Sequence, residues 1–320
     1  PAFGAEAFVG PGRFESCIGL GWRRVGGAPV NSVIRAVVVR WRGGDEVRRC
    51  LLSLMELGGE RLNRVVLVDS GSGDGGAERL ATSFPDVEVI ALAENHGFAH
   101  AADCGSREGN EDLLFVLNPD TELTEGALDT LATFLDQHHR AAGVVPLLED
   151  ENGNPQYRWQ LRSLPTTARL ALGLPGSSAF SGPPSHPAPV PQPAAAAWMV
   201  RRTVWEALGG LDPTFTPAWW EDVDFCARLT ERFDEADFPC TEGFWVEPAA
   251  HISHIGGSSV SSLGDAAFLT AYYRNLLHYA TRHHAQRAGF IRRGLSLSLR
   301  GRMILRPSRR AGYKAAISAI

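Results

Sequence analysis

The 320-residue sequence predicts an α/β fold, a mostly parallel sheet covered by helices on both faces and followed by a helical C-terminal extension. Three observations carry that expectation. Short apolar runs of buried-strand type alternate with segments of helical spacing from about Val33 to Leu148. Unusual polar residues fall just past the carboxyl ends of those runs, where ligands of parallel sheets bind. Beyond Asp265 only helical spacing continues.

The elements follow in order. Ile34–Val39 (IRAVVV) reads as a first strand buried on both faces. Asp45–Leu57 places Val47, Leu51, Leu54 and Met55 at helical spacing, and Gly58-Gly59 stops it. Val65–Val68 is a second strand, Ala77–Ser83 a helix, and Val87–Leu92 a third strand. Ala99–Arg107 reads as helix and Leu113–Leu117 as a fourth strand. Glu125–Gln137 is a helix with Leu128, Leu131 and Leu135 on one face, and Val144–Leu148 is a further strand. Pro175–Pro193, rich in Pro, Gly and Ser, reads as a mobile loop. Order resumes at Trp198–Leu208, a turn follows at Gly209–Pro213, and Trp220–Arg232 is a helix entered through acidic residues. Asp265–His284 is a longer aromatic-rich helix, and the tail is amphipathic and helical with a break at Pro307.

Composition narrows the class. With 44% hydrophobic and 21% charged residues, wholesale disorder is excluded and one large domain with an appendage fits. The five cysteines are odd in number, scattered and never in a C-x-x-C pair, which excludes a disulfide framework or zinc site and fits a reducing cytoplasm. No run of 18 apolar residues predicts a membrane span, and no signal peptide is visible. Residues 281–320 hold ten Arg or Lys and no acid, which leaves 21 basic against 36 acidic residues elsewhere. A basic tail on an acidic body predicts either a solvated helix face or contact with an anionic surface. Lys314 is the only Lys, so abundant Arg reads as coding bias.

Four constellations carry chemistry. In Val68–Gly76 a strand ends in Asp69 and enters a glycine-rich turn. Gly71, Gly73 and Gly76 satisfy G-x-G-x-x-G, and Glu94 lies where a ribose-binding carboxylate would be, so a nicotinamide-cofactor reading is available. Against it, Asp69 and Asp74 would face a pyrophosphate with negative charge, and the motif follows the second strand. Leu117–Thr121 (LNPDT) puts Asn118 and Asp120 at the mouth of the sheet, where hard oxygen ligands suit magnesium or manganese; Asn-Pro-Asp is also ordinary turn chemistry. Trp219–Asp224 (WWEDVD) opens a helix. Its carboxylates suit the helix dipole, while Trp219 and Trp220 offer faces for sugar rings, beside which a carboxylate can deprotonate a hydroxyl. His251 and His254, three residues apart before a Gly pair, are candidate metal ligands.

Taken together, Val65–Gly75, Glu94–Ala101, Phe115–Leu123, Leu208–Arg228 and the HIGGSS block from His254 resemble the family 2 glycosyltransferases, particularly the bacterial rhamnosyltransferase-like branch. The blocks run in family order across about Ile34–Ser259. The resemblance implies the GT-A fold, an αβα sandwich, with an N-terminal extension of unknown role over residues 1–32, a catalytic domain over 33–260 and a basic helical extension over 261–320. It implies an inverting, metal-dependent enzyme that moves a sugar, rhamnose being one candidate, from a UDP- or dTDP-sugar to an acceptor hydroxyl in cell-surface polysaccharide synthesis. A degenerate GT-A domain that binds without turnover is the alternative.

The resemblance assigns roles as well. Asp69, Ser70, Asn95, Gly97, Phe98 and Asn118 are implied on the donor side. Asp120, with His254 completing the shell, is implied to hold a divalent metal (Mg2+ or Mn2+). Asp222 is implied as general base, with Trp219, Trp220 and Glu221 on the acceptor side. The acceptor is expected to be a saccharide or lipid-linked saccharide. The basic tail is expected to rest on an anionic membrane, so that a cytoplasmic protein sits on the inner face of the plasma membrane; no nucleic-acid partner is expected. Three departures stand out: Arg40-Trp41-Arg42 replaces an N-Y-N-like segment, Asp103 replaces a common Asn, and Ala194–Ala197 replaces a Gly-Ala segment.

Overall fold

The computed structural model describes residues 31–256 and 263–320. The expected N-terminal extension, apart from its last two residues, and the end of the HIGGSS block lie outside the described residues. In chain order the elements are β1 (Ile34–Arg40), α1 (Asp45–Leu57), β2 (Leu62–Asp69), α2 (Gly76–Ser83), β3 (Glu88–Ala91), α3 (Phe98–Ser106), β4 (Leu113–Leu117), β5 (Thr121–Leu123), α4 (Ala127–Gln137) and β6 (Ala141–Glu149). Then come α5 (Tyr157–Gln160), β7 (Leu161–Arg162), α6 (Thr167–Ala171), β8 (Ala188–Val190), β9 (Gln192–Pro193), β10 (Ala197–Arg201), α7 (Arg202–Leu208), α8 (Glu221–Glu231) and β11 (Glu242–His254). The C-terminal helices are α9 (Asp265–His283), α10 (Ala288–Leu305) and α11 (Arg310–Ala319).

The main sheet has the order β3-β2-β1-β4-β10-β6-β11-β5, with β8 also pairing β11. Strands β3, β2, β1 and β4 pair in parallel, as do β6 and β11. The reversed strands are β10, β5 and β8. The sheet is thus mostly parallel, as the sequence predicts, but β10 runs antiparallel at its centre. The expected ordered stretch Trp198–Leu208 is that strand followed by α7.

Alternation along β1 shows how the two faces are built. Ile34, Ala36 and Val38 join a core with Leu51, Leu54, Leu128 and Leu131 of α1 and α4. Val37 and Val39 point the other way, into a core with Ala101, Val204 and Phe225 of α3, α7 and α8. Each fully buried aliphatic side chain contributes about 1.5–3 kcal/mol, so a continuous apolar strand between two helix layers is the favourable outcome.

One expectation changes. Pro175–Pro193 is not wholly loop, because β8 hydrogen-bonds to β11 and β9 pairs with β7 in a separate two-stranded sheet. The C-terminal helices follow the sandwich, as expected, and pack against it. Residues 31–320 form one compact unit, and Leu276, Tyr279, Ile291, Leu295 and Leu299 share a third core with Phe215, Trp220, Val223 and Ala227.

Candidate active site

A cleft of about 350 Å³ opens at the carboxyl ends of β1, β2 and β4. One of its walls is made by the segments that leave these strands. Trp41, Ser70, Asn95, Phe98, Asn118 and Asp120 line it. Ser70 Oγ donates to Asn95 Oδ1 at 3.1 Å, and the Gly97 N–H donates to the same oxygen at 2.9 Å, so the Asn95 side chain is fixed from two loops. The glycine turn after β2 exists for this approach. Gly71 has φ +64°, and a Cβ there would lie 2.3 Å from the Glu94 carbonyl carbon. Gly71 thus serves close packing of the turn against the Glu94–Asn95 backbone.

Asp69 is buried and is absent from the cleft lining. One of its oxygens accepts from Arg40 and the other from the Ser72 N–H at 2.7 Å. Arg40 also pairs with Asp74 at 2.6 Å. The departure from the N-Y-N-like pattern therefore has a structural consequence: a buried arginine ties the end of β1 to the turn after β2 and occupies the carboxylate implied to contact the donor. Trp41 remains in the cleft lining, with the Arg42 guanidinium 4.9 Å from its ring centroid.

Asp120 and His254 meet because of strand register. Thr121, first residue of β5, pairs with His254, last residue of β11, and the Ile255 N–H donates to the Asp120 carbonyl at 3.1 Å. His254 Nε2 lies 3.5 Å from Asp120 Oδ1. Gln156 Nε2 donates to the His254 carbonyl, so its Oε1 is the atom 2.9 Å from His254 Nδ1. That contact requires a proton on Nδ1 and leaves the Nε2 lone pair facing Asp120. Burial lowers the imidazole pKa against the opposing pull of Asp120, which favours the neutral ring. His251 turns elsewhere and contacts Glu149 at 2.9 Å.

The opposite wall comes from inserted turns and the C-terminal helices. Trp219 and Trp220 both have positive φ, +73° and +80°, a conformation that costs bulky residues about 1–3 kcal/mol each. Asn275 on α9 holds them there. Its buried amide donates to the carbonyls of Ala218 and Trp219 at 3.0 and 3.1 Å, and to Thr216 at 3.3 Å. Trp220 is only 2% exposed, with its ring near Tyr272 and Tyr279. It builds the wall rather than presenting an open face to a sugar. Trp219 is more accessible and meets Phe268 edge-on.

This turn delivers Glu221 and Asp222 to the cleft at the start of α8. Asp222 Oδ1 accepts from the Val223 N–H at 2.8 Å. Its Oδ2 accepts from Gln192 at 3.1 Å and lies 3.4 Å from Arg162. Arg162 and Gln192 are direct cross-strand partners in the β7–β9 sheet, which explains their convergence on one oxygen. Burial raises the Asp222 pKa, and the Arg162 charge opposes that rise. Glu221 is pushed well above the ordinary carboxyl range by burial and by the Asp222 charge, and its buried Oε2 has no hydrogen-bond partner among the described residues. Asp224 faces away and pairs with Arg228 at 2.7 Å and His283 at 2.8 Å.

The two walls touch at Gly97. The Phe98 N–H donates to the Pro217 carbonyl at 2.8 Å, and a Cβ on Gly97 would meet that same carbonyl oxygen at 2.8 Å. Of the residues expected at the site, the structure gathers Ser70, Asn95, Phe98, Asn118, Asp120, Trp219, Trp220, Glu221, Asp222 and His254 in one cleft. Asp69 and Gly97 stand behind its lining. Gln156, Arg162, Gln192 and Asn275 were not expected; no motif marks them, because their roles arise from pairing between segments far apart in sequence.

A family model described as Glycosyl transferase family 2 matches residues 36–206. The chain is a member of that family. It is 26% identical over 300 residues to the N-acetylglucosaminyl-diphospho-decaprenol L-rhamnosyltransferase of Mycobacterium tuberculosis, covering 87% of this chain and 92% of that one. Among solved structures it resembles GalNAc-T7 with UDP, GalNAc and Mn2+ (TM-score 0.57, 16% identity), covering 78% of this chain and 50% of that one, so the chain spans about half the length of GalNAc-T7 as solved. It also resembles S. aureus TarS 1-349 in complex with UDP-GlcNAc (TM-score 0.52, 13% identity), covering 85% and 72%. These likenesses bear out the GT-A fold and the glycosyltransferase class, and favour an enzyme over a degenerate binding domain.

Proposed function

We propose that this glycosyltransferase inverts the anomeric centre of a UDP- or dTDP-sugar as it transfers the sugar to a hydroxyl of a lipid-linked saccharide in cell-surface polysaccharide synthesis. The observation that carries this reading is one cleft with the Asp120–His254 pair on one wall and the buried Asp222 on the other. Similarity to the mycobacterial enzyme, whose name gives rhamnose as the sugar and a diphospho-decaprenol as the carrier, supports rhamnose and a lipid-linked acceptor.

Asp120 and His254 suit a divalent cation. A carboxylate oxygen and a bare imidazole nitrogen face one another, and no group of three or more such side chains occurs among the described residues. Two protein ligands suit a hard cation that completes its shell with diphosphate oxygens and water. Bound there, Mg2+ or Mn2+ would neutralise charge developing on the leaving diphosphate. Gln156 fixes the imidazole in the required tautomer. Ser70, Asn95, Phe98 and Asn118 line the donor wall, beside Trp41.

Across the cleft, Asp222 accepts the proton of the acceptor hydroxyl, which attacks the anomeric carbon from the side opposite the diphosphate. Burial raises its pKa above the ordinary carboxyl range and so makes it a stronger base, while the Arg162 charge opposes that rise and Gln192 orients the carboxylate. Glu221, whose pKa burial and the Asp222 charge raise, turns its Oε2, without a partner among the described residues, toward a sugar hydroxyl. A lipid-linked acceptor would place the enzyme at the cytoplasmic face of the plasma membrane, with the basic C-terminal segment in contact with anionic lipid. The test is thermal stabilisation by a nucleotide-sugar panel with and without Mn2+. The expected result is a shift that needs both metal and a UDP- or dTDP-sugar; no shift with any donor would contradict the reading.

A further inference from the structure

Helix α10 carries an apolar stripe that the described residues leave uncovered. Phe290, Leu297 and Ile304 are 64%, 68% and 82% exposed, and Leu305 beside them is 82% exposed. Their seven-residue spacing keeps them on one face, drifting only about 20° per step. The opposite face of α10 supplies Ile291, Leu295 and Leu299 to the core. The stripe therefore cannot turn inward without dismantling that packing. Three contacts fix the helix in this orientation. Ser298 Oγ and Arg302 Nη2 both donate to the Leu172 carbonyl at 2.9 Å, and Arg302 Nη1 donates to the Tyr273 hydroxyl at 2.6 Å. Gly294 lies close against Ala171, where a Cβ would come within 2.8 Å of the alanine methyl.

Exposed Arg293 and Arg300 follow Phe290 and Leu297 by three residues and flank the stripe. The ion pairs of this segment use Arg282 and Arg309 instead. Residues 281–320 hold ten basic and no acidic residues, so every charged side chain of the segment itself is positive.

We infer that the Phe290–Leu297–Ile304 face of α10 inserts into the headgroup region of an anionic lipid bilayer, with Arg293 and Arg300 bound to lipid phosphates on its flank. This deepens the membrane contact assigned above and rests on it. Apolar side chains about 10 Å apart along a basic helix are what an interfacial helix buries, and anionic headgroups supply the counter-charge. A second copy of the chain fits less well, because pairing two such faces brings like charges together. A nucleic-acid backbone would use the arginines but leave the apolar side chains in water. Through Tyr273 the helix is seated on α9, whose Asn275 holds the turn that carries Asp222, so lipid docking here would fix that wall relative to the bilayer.

The test is flotation of the full chain with phosphatidylcholine vesicles containing or lacking phosphatidylglycerol, at low and high salt. The wild type should float with the anionic vesicles and retain part of that binding at high salt. The triple variant Phe290→Ser/Leu297→Ser/Ile304→Ser should lose about tenfold or more in partitioning with an unchanged melting temperature. Leu297→Trp should increase partitioning, an outcome that misfolding does not mimic. Equal flotation of the triple variant and wild type would overturn insertion while leaving an electrostatic contact standing. No wild-type flotation would overturn both and leave the reaction assignment untouched. A dimer by sedimentation that the triple variant abolishes would identify the face as a self-contact and overturn the inference.

Discussion

The wall bearing Asp120 hangs from strands β1, β2 and β4 at the centre of the parallel sheet, while the wall bearing Asp222 hangs from no strand of that sheet. The first wall is set by register and by short glycine turns, so its residues sit within a few positions of strand ends. The second is assembled from the Thr216–Trp220 turn, a two-stranded sheet and a C-terminal helix, held by Asn275, Arg162 and Gln192. Such a division separates a strand-borne platform from an inserted wall. It also predicts that lesions in the two walls fail differently.

The largest expected effect is on turnover. Asp222→Asn should lower kcat by about 10²–10⁴-fold while leaving metal-dependent nucleotide binding intact, as read by steady-state kinetics beside calorimetry. Weaker nucleotide binding in this variant would break the division between walls. Next comes Arg162→Met. Removing its charge lets the Asp222 pKa rise further, so the acid limb of the kcat profile should move to higher pH. An unmoved limb with a raised KM would reassign Arg162 to substrate binding.

Asn275→Ala should destabilise the protein by about 2–3 kcal/mol, since it frees three carbonyls from a buried donor. At temperatures where the variant is folded, kcat should fall while nucleotide affinity holds. The smallest effect concerns the departure at Asp103. Burial pushes its carboxyl up to about 7, while its Oδ1 accepts from the Leu211 N–H. Its contribution is most favourable below about pH 4 and is lost as pH rises toward 7. Asp103→Asn should therefore gain stability relative to wild type at pH 8, by about 1–2 kcal/mol given its partial exposure, and the gain should vanish in acid.

Legibility in the sequence followed the same division. Asn118 and Asp120 could be located because they follow an apolar run whose strand character is local, whereas Ser70 and Asn95 came from the family blocks that contain them. Asp222 could be located because two tryptophans and three acids at a helix start are conspicuous. The sequence could not show that Asp69 is consumed by Arg40, since a salt bridge between two strand ends leaves no local pattern. Nor could it show Trp220 turned into the core, or β10 reversed at the centre of the sheet, because both depend on how distant segments pack. Gln192 lies in a stretch whose prolines and glycines predict loop, and only its pairing with Arg162 reveals that it reaches Asp222.

The most direct test of the two-wall account is calorimetric titration of UDP and dTDP, with and without Mn2+, into the wild type, Asp120→Ala and Asp222→Asn. The account predicts Mn2+-dependent binding of one nucleotide to the wild type and Asp222→Asn, lost in Asp120→Ala. Binding that is indifferent to Mn2+, or that survives in Asp120→Ala, would contradict it.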